Sequence, residues 1–154
     1  MKTKTIVMTL AVCFLAAAAS FAGNPNMGTW KLNEAKSTIP PGAQKNTKVV
    51  YEAVGDRMKV TVDGVDGKGK PTHNEWTGKF DGKEYPVVGD PGADTRAYMV
   101  LSERMTELAN KKGGKVTTTG RIVVSADGKS RTVTVSGTDS MGMAVQYTAV
   151  YDKQ

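Results

Sequence analysis

From Lys45 to Asp152 the chain repeats one pattern: a run alternating apolar with polar residues, a glycine-centred break, then another such run. Met58, Val60 and Val62 alternate with Lys59, Thr61 and Asp63, and Val133 and Val135 alternate with Thr132, Thr134 and Ser136. A period of two places one set of side chains on each face of a pleated strand, whereas a helix would scatter both sets around its circumference. Trp76 and Phe80 share one parity, opposite His73, Glu75, Thr77 and Lys79. In the last run Met143, Val145, Tyr147, Ala149 and Tyr151 form one face. Composition agrees. Beyond residue 22 there are sixteen valines and fifteen threonines but only three leucines, and branching at Cβ suits a pleated surface better than a helix.

The breaks are "GDR", "DGKGK", "DGK", "GDPGAD", "KKGG", a second "DGK" and "DSMG". Asp-Gly favours the primed turns that join neighbouring antiparallel strands, because both residues tolerate positive φ. Ten short strands are predicted: 28–32, 45–54, 58–65, 72–80, 84–88, 95–101, 105–109, 115–125, 131–138 and 143–152. Successive hairpins make an up-and-down meander. An open sheet of that size would expose two edges, and closure removes them. The predicted fold is all-β, a single up-and-down antiparallel β-barrel of about eight to ten strands.

Ahead of this region stands a different kind of segment. Lys2 and Lys4 form a positive head, Ile6 to Ala19 is uncharged and apolar, and Ser20 and Ala22 are small. That is the pattern of a secretory signal peptide, with cleavage expected after Ala22 and residues 23–154 as one exported domain, periplasmic or secreted. The apolar run falls short of the roughly 20 residues of a membrane span, and none is expected in the mature chain. Lipidation at Cys13 is disfavoured by the bulky Val12 before it. Cys13 is the only cysteine and leaves with the leader, so the domain has no disulfide or thiolate to use. Losing Lys2 and Lys4 lowers the formal charge of +6 by two. The remaining lysines are interspersed with acids, a pattern that argues against nucleic acid as a partner.

The first strand opens with Gly28, Trp30 and Leu32 on one face, so an indole beside a glycine can plug a barrel end where space narrows. This Gly-x-Trp start resembles the lipocalins and fatty-acid-binding proteins, the calycin barrels. "GTWKL" and the closing "VYDKQ" are similar to the ends of fatty-acid-binding chains. The ordered set "GTWKLNEAKS", "EWTGKFDGKEYPVVGDPGADT", "VVSADGKSRTVTVSGTD" and "AVYDKQ" resembles the bacterial exported lipocalin-like proteins across nearly the whole mature chain. Two departures qualify the resemblance. The segment 33–44 is too short, and too interrupted by Pro40–Pro41, for a two-helix lid. Ala149 also stands where those families place a late-strand arginine, so their carboxylate chemistry is not carried over.

Chemical constellations are few. His73, the single histidine, shares a face with Glu75 and Lys79 and reads as a solvated side chain, short of the ligand count of a metal site. No serine sits in a nucleophile elbow. The Asp-Gly-Lys turns lack the spacing and closing glutamate of a calcium loop, and "GDPGAD" reads as a mouth or edge loop. The chain is therefore expected to be non-enzymatic, with no cofactor and no metal. The candidate ligand-binding set is the inward face: Tyr51, Met58, Val60, Trp76, Tyr98, Met105 and Tyr147, with Gly28 and Trp30 as the barrel-end plug. Methionines and aromatics of this kind can line a cavity for a small hydrophobic or lipid-like ligand, or simply fill a core. Arg96 is in step with Tyr98 and could anchor an acidic ligand inside, but an exposed position is expected for an arginine. The alternative function is a cell-envelope scaffold whose barrel is filled and whose loops meet a protein partner.

Overall fold

A computed structural model describes residues 23–154; the expected signal peptide, residues 1–22, lies outside the described residues. Ten strands follow in order: β1 (Gly28–Leu32), β2 (Lys45–Val54), β3 (Arg57–Val65), β4 (Pro71–Gly78), β5 (Asp81–Val88), β6 (Thr95–Ser102), β7 (Met105–Lys112), β8 (Lys115–Val124), β9 (Ser130–Thr138) and β10 (Ala144–Lys153). Each pairs antiparallel with its neighbours in sequence, and β1 also pairs with β10, so the sheet closes into an up-and-down barrel. Asp66–Gly67 and Asp127–Gly128 fall in hairpin loops, whereas Asp63–Gly64 lies within β3 and the break expected at Asp81–Gly82 lies within β5. No Asp among the described residues has positive φ, so the turns are not of the type in which Asp and Gly both take it. Segment 33–44 holds a single 3-10 turn, Glu34–Lys36, capped by the Asn33 side chain. No lid of two helices occurs among the described residues, and none of their helices is long and apolar enough to cross a membrane.

Closure depends on β1, which is only five residues long. Trp30 lies opposite Val49 on one side and Lys153 on the other, and Leu32 lies opposite Tyr151. Gly28 opens this strand at φ +103, a conformation that strains any residue with a Cβ. Its freedom lets the chain turn from the buried Asn26 into the ladder within two residues. A bridge between Thr38 and Thr148 extends the seam beyond the end of β1.

Odd and even hairpins emerge at opposite ends of the barrel. One end carries the amino-terminal turn, the carboxy terminus and the turns after β2, β4, β6 and β8. Here the interior is filled. Trp30, Met58 and Val124 are almost completely buried, and the Trp30 indole Nε1 donates to the Asn26 carbonyl at 2.7 Å. Between β4 and β5 the ladder thins to two residue pairs, Glu75–Val88 and Trp76–Val87. Aromatic side chains pack behind the gap: Trp76 meets Tyr98 edge-on at 4.7 Å and Tyr85 at 5.8 Å, and Phe80 stacks on Tyr98 at 4.8 Å. The Trp76 indole donates to the Arg96 carbonyl at 2.8 Å and pins β4 to β6 across that gap.

Replacing Trp30 by alanine removes the seal of the filled end together with contacts to both flanking strands. Urea denaturation should show a loss of about 3–5 kcal/mol, the usual range for a buried aromatic. Val123→Ala, on the outer face of β8 and 37% exposed, should change stability by less than about 1 kcal/mol.

Candidate functional site

The other end of the barrel is open. A cavity of about 810 Å³ runs inward from the loops after β1, β3, β5 and β9. Its mouth is formed by Gly42, Asp66–Lys68, Gly89–Gly92 and Asp139–Met141, and its wall by residues such as Val62, Leu108, Ile122 and Val133. "GDPGAD" is a mouth loop, as expected from its sequence. A shallower concavity of about 600 Å³ lies on the outer wall, lined by Met99, Ser136 and the Glu107–Arg121 ion pair among others; it has strand backbone for a floor.

The candidate side chains separate into three groups. Tyr51, Tyr98 and Tyr147 line the cavity. Met58, Val60 and Trp76 are buried but belong to the packed region and not to the cavity wall. Met105 faces the other way. It lies opposite Val123, while its neighbour Thr106 lies opposite the buried Ile122 and points inward. The bulge between Val100 and Ser102 shifts the register of the β6–β7 hairpin, which is why its inward parity could not be carried across the turn. Gly28 and Trp30 sit at the filled end.

Arg96 corrects the expectation of an exposed arginine: it is 6% exposed and faces the interior. Every nitrogen of its guanidinium has a partner. Nε donates to Asn110 Oδ1 at 2.6 Å, one terminal nitrogen to Asn74 Oδ1 at 3.3 Å, and the other to Asp90 Oδ2 at 2.9 Å. Asp90 in turn accepts from the Gly92 amide at 2.9 Å, so the mouth loop is tied to the wall through a shielded ion pair. The Asn110 amide donates onward to Thr118. The cation near the mouth is neutralised within the chain.

At the deep end stands a second buried arginine that the sequence reading passed over. Arg131, on β9, is 2% exposed and lies opposite Tyr151 and Val124, with one side toward the cavity. Its guanidinium carbon lies 4.8 Å from the centroid of Trp30, 4.9 Å from that of Tyr51 and 5.1 Å from that of Tyr151. It makes one long hydrogen bond, 3.4 Å to Asn26 Oδ1, and its Nε is the one buried side-chain nitrogen or oxygen among the described residues with no partner. No ion pair among the described residues includes it. Burying an ion costs several kcal/mol, while ring faces each return about 0.5–2 kcal/mol. The signal for Arg131 was available: it is in step with Val133 and Val135.

Outside the barrel, His73 is exposed, with Asp63 Oδ1 at 2.6 Å and Glu75 Oε1 at 3.6 Å. The hydrogen bond with Asp63 and the nearby charges hold its pKa above the ordinary histidine value. Among the described residues no group of three such side chains is arranged to hold a metal.

No protein-family model and no curated protein matches this sequence. Solved structures do. The chain is similar to the EF1p2_mFAP2b barrel bound to DFHBI, at 13% identity over 88% of this chain and 98% of that one, with a TM-score of 0.51. It is also similar to mFAP1, a redesigned β-barrel bound to DFHBI, at 15% identity over 86% and 98%, with a TM-score of 0.48. Such identities bear on the fold: all-β, closed, ten-stranded and antiparallel.

Tyr151 also borders the cavity, and three of the four tyrosines there carry a measurable signature. Burial disfavours the phenolates of Tyr98, Tyr147 and Tyr151 and raises their pKa values above the ordinary 10.0; the Asp90 charge adds to the effect at Tyr147. The unfolded chain then releases these protons at lower pH than the folded one. The stability they contribute is complete below about pH 10 and is lost as pH rises through the folded values. Absorbance titration should show tyrosinate forming later in the native protein than in urea. Superimposed curves would place these rings in water.

Proposed function

We propose that this chain is an exported, non-enzymatic binding protein of lipocalin-like kind that holds a small hydrophobic or lipid-like molecule inside its barrel. The observation that carries the reading is the cavity: about 810 Å³, open at one end and sealed at the other. That volume lies within the roughly 300–1,000 Å³ of small-molecule sites, and its wall mixes aliphatic and aromatic surface with a few polar groups. Affinity would come from burying apolar ligand surface, at about 25 cal/mol per Å² before the costs of association. Tyrosine hydroxyls and the mouth loops would orient the ligand. The EF1p2_mFAP2b barrel, of similar fold, is described bound to DFHBI, which supports reading such a barrel as able to hold a small molecule. A scaffold role with a filled barrel would not leave a cavity of this size. Export is inferred from residues 1–22, and sequencing of the protein recovered from outside the cytoplasm should begin at Gly23.

The direct test is titration with the neutral fluorophore N-phenyl-1-naphthylamine. Saturable binding of one probe per chain is expected. Leu108→Trp, which places an indole in the cavity, should weaken it by about tenfold or more with the circular dichroism spectrum unchanged. Non-saturating binding, or full affinity in the Leu108→Trp protein, would mean that the cavity is not the site.

A further inference from the structure

We propose that the mouth-side half of the cavity is a subsite for one neutral carbonyl oxygen, that of a ketone or ester, taken by the Asn74 amide and the Tyr98 and Tyr147 hydroxyls. The proposal rests on the reading that the barrel holds a small apolar molecule, and names the polar group of that molecule.

Two asparagines meet the buried Arg96, and the contrast between them carries the inference. Asn110 and Asn74 each turn their side-chain oxygen to the guanidinium, at 2.6 and 3.3 Å. A guanidinium only donates, so the contact fixes which end of each amide faces it. The Asn110 nitrogen is then taken by Thr118 Oγ1 at 2.8 Å. The Asn74 nitrogen donates to nothing among the described residues, although Asn74 is 4% exposed. Nor is that nitrogen sealed. Among the described residues only Arg131 Nε, of the side-chain nitrogens and oxygens, lacks both a partner and accessible surface. Asn74 lines the cavity, so its amide hydrogens open onto it.

The phenols divide in the same way. Of the five tyrosines, Tyr85 donates to Asp81 and Tyr151 to the Asn46 carbonyl. Tyr98 and Tyr147 line the cavity and donate to no described atom, and their oxygens likewise keep accessible surface. Tyr98 lies two residues from Arg96 on the inward face of β6, and the Arg96 charge acts on both phenols. Arg96 thus gathers three free donors while Asp90, at 2.9 Å, balances its own charge. A carboxylate ligand would face that Asp90. Three neutral donors with no acceptor instead suit an uncharged oxygen with two lone pairs, in a setting where an unmade hydrogen bond is costly. A ketone or ester carbonyl meets that requirement, with its alkyl tail extending inward past Leu108 and Ile122.

The test uses 2-undecanone and 1-chloroundecane, alike in length but not in acceptor strength, as competitors of N-phenyl-1-naphthylamine. In the complex, the infrared carbonyl stretch of the ketone should lie at lower frequency than in hexane. Asn74→Asp keeps an acceptor for Arg96 and removes the donor. It should weaken 2-undecanone about tenfold, leave 1-chloroundecane within about twofold, and return the stretch toward its hexane value. Tyr98→Phe should weaken the ketone about threefold with the same selectivity, and serves if the aspartate variant does not fold. A stretch at the hexane frequency in the unmodified protein, or variants that weaken both competitors equally, overturns the subsite and leaves the cavity reading intact. Variants that weaken undecanoate and spare the ketone overturn the assignment of a neutral group. Failure of the fluorophore itself to bind overturns both readings.

Discussion

The closing contact between β1 and β10 is the constraint from which the rest of this structure follows. Three residue pairs join the ends of a meander that would otherwise have two free edges. Once the ring is closed, each strand has an inside and an outside, and the inside narrows to a filled end under Trp30. The same short strand that closes the wall therefore carries the side chain that seals it. The indole is held from three directions: by its bond to the Asn26 carbonyl, by Arg131 over its face, and by Lys153 at 5.3 Å from its ring centroid.

That arrangement separates packed core from open cavity along the barrel axis. Large apolar and aromatic residues collect where strands converge and where the β4–β5 ladder thins. Toward the mouth the lining becomes smaller and more polar, and an empty volume remains. Solid core and open cavity thus occupy different ends of one interior. Two buried guanidiniums mark the boundaries of that space. One is neutralised by a loop carboxylate near the mouth, and the other is surrounded by rings at the floor.

Several expectations met their limits at particular residues, each for a local reason. Trp76 has inward parity as expected, yet its indole is consumed by the aromatic cluster and by its bond to the Arg96 carbonyl, so it packs and does not line the cavity. Met105 is expected on the inward face with Tyr98, but a bulge in the β6–β7 hairpin reverses the relation between their parities. Arg96 and Arg131 were legible as members of inward faces by counting in twos. Chemical type argued the opposite, because an arginine is seldom buried without partners. The partners of Arg96 come from β4, the β5–β6 loop and β7, and the rings around Arg131 come from β1, β2 and β10.

Local sequence determined a great deal by itself. Period-two alternation and β-branching set which segments are strands, and glycine-rich polar breaks marked most of the places where they turn. The count of hairpins then left closure as the way to satisfy the edges. These are properties of a residue and its immediate neighbours, so they can be read one segment at a time. The tertiary structure alone decided where the interior is solid and where it is hollow, and which buried cation is paired. Those outcomes depend on residues as far apart as Asn26 and Arg131, or Asn74 and Arg96, meeting across the ring. Cross-ring distances are set by the register and curvature of all ten strands together, which no single segment encodes.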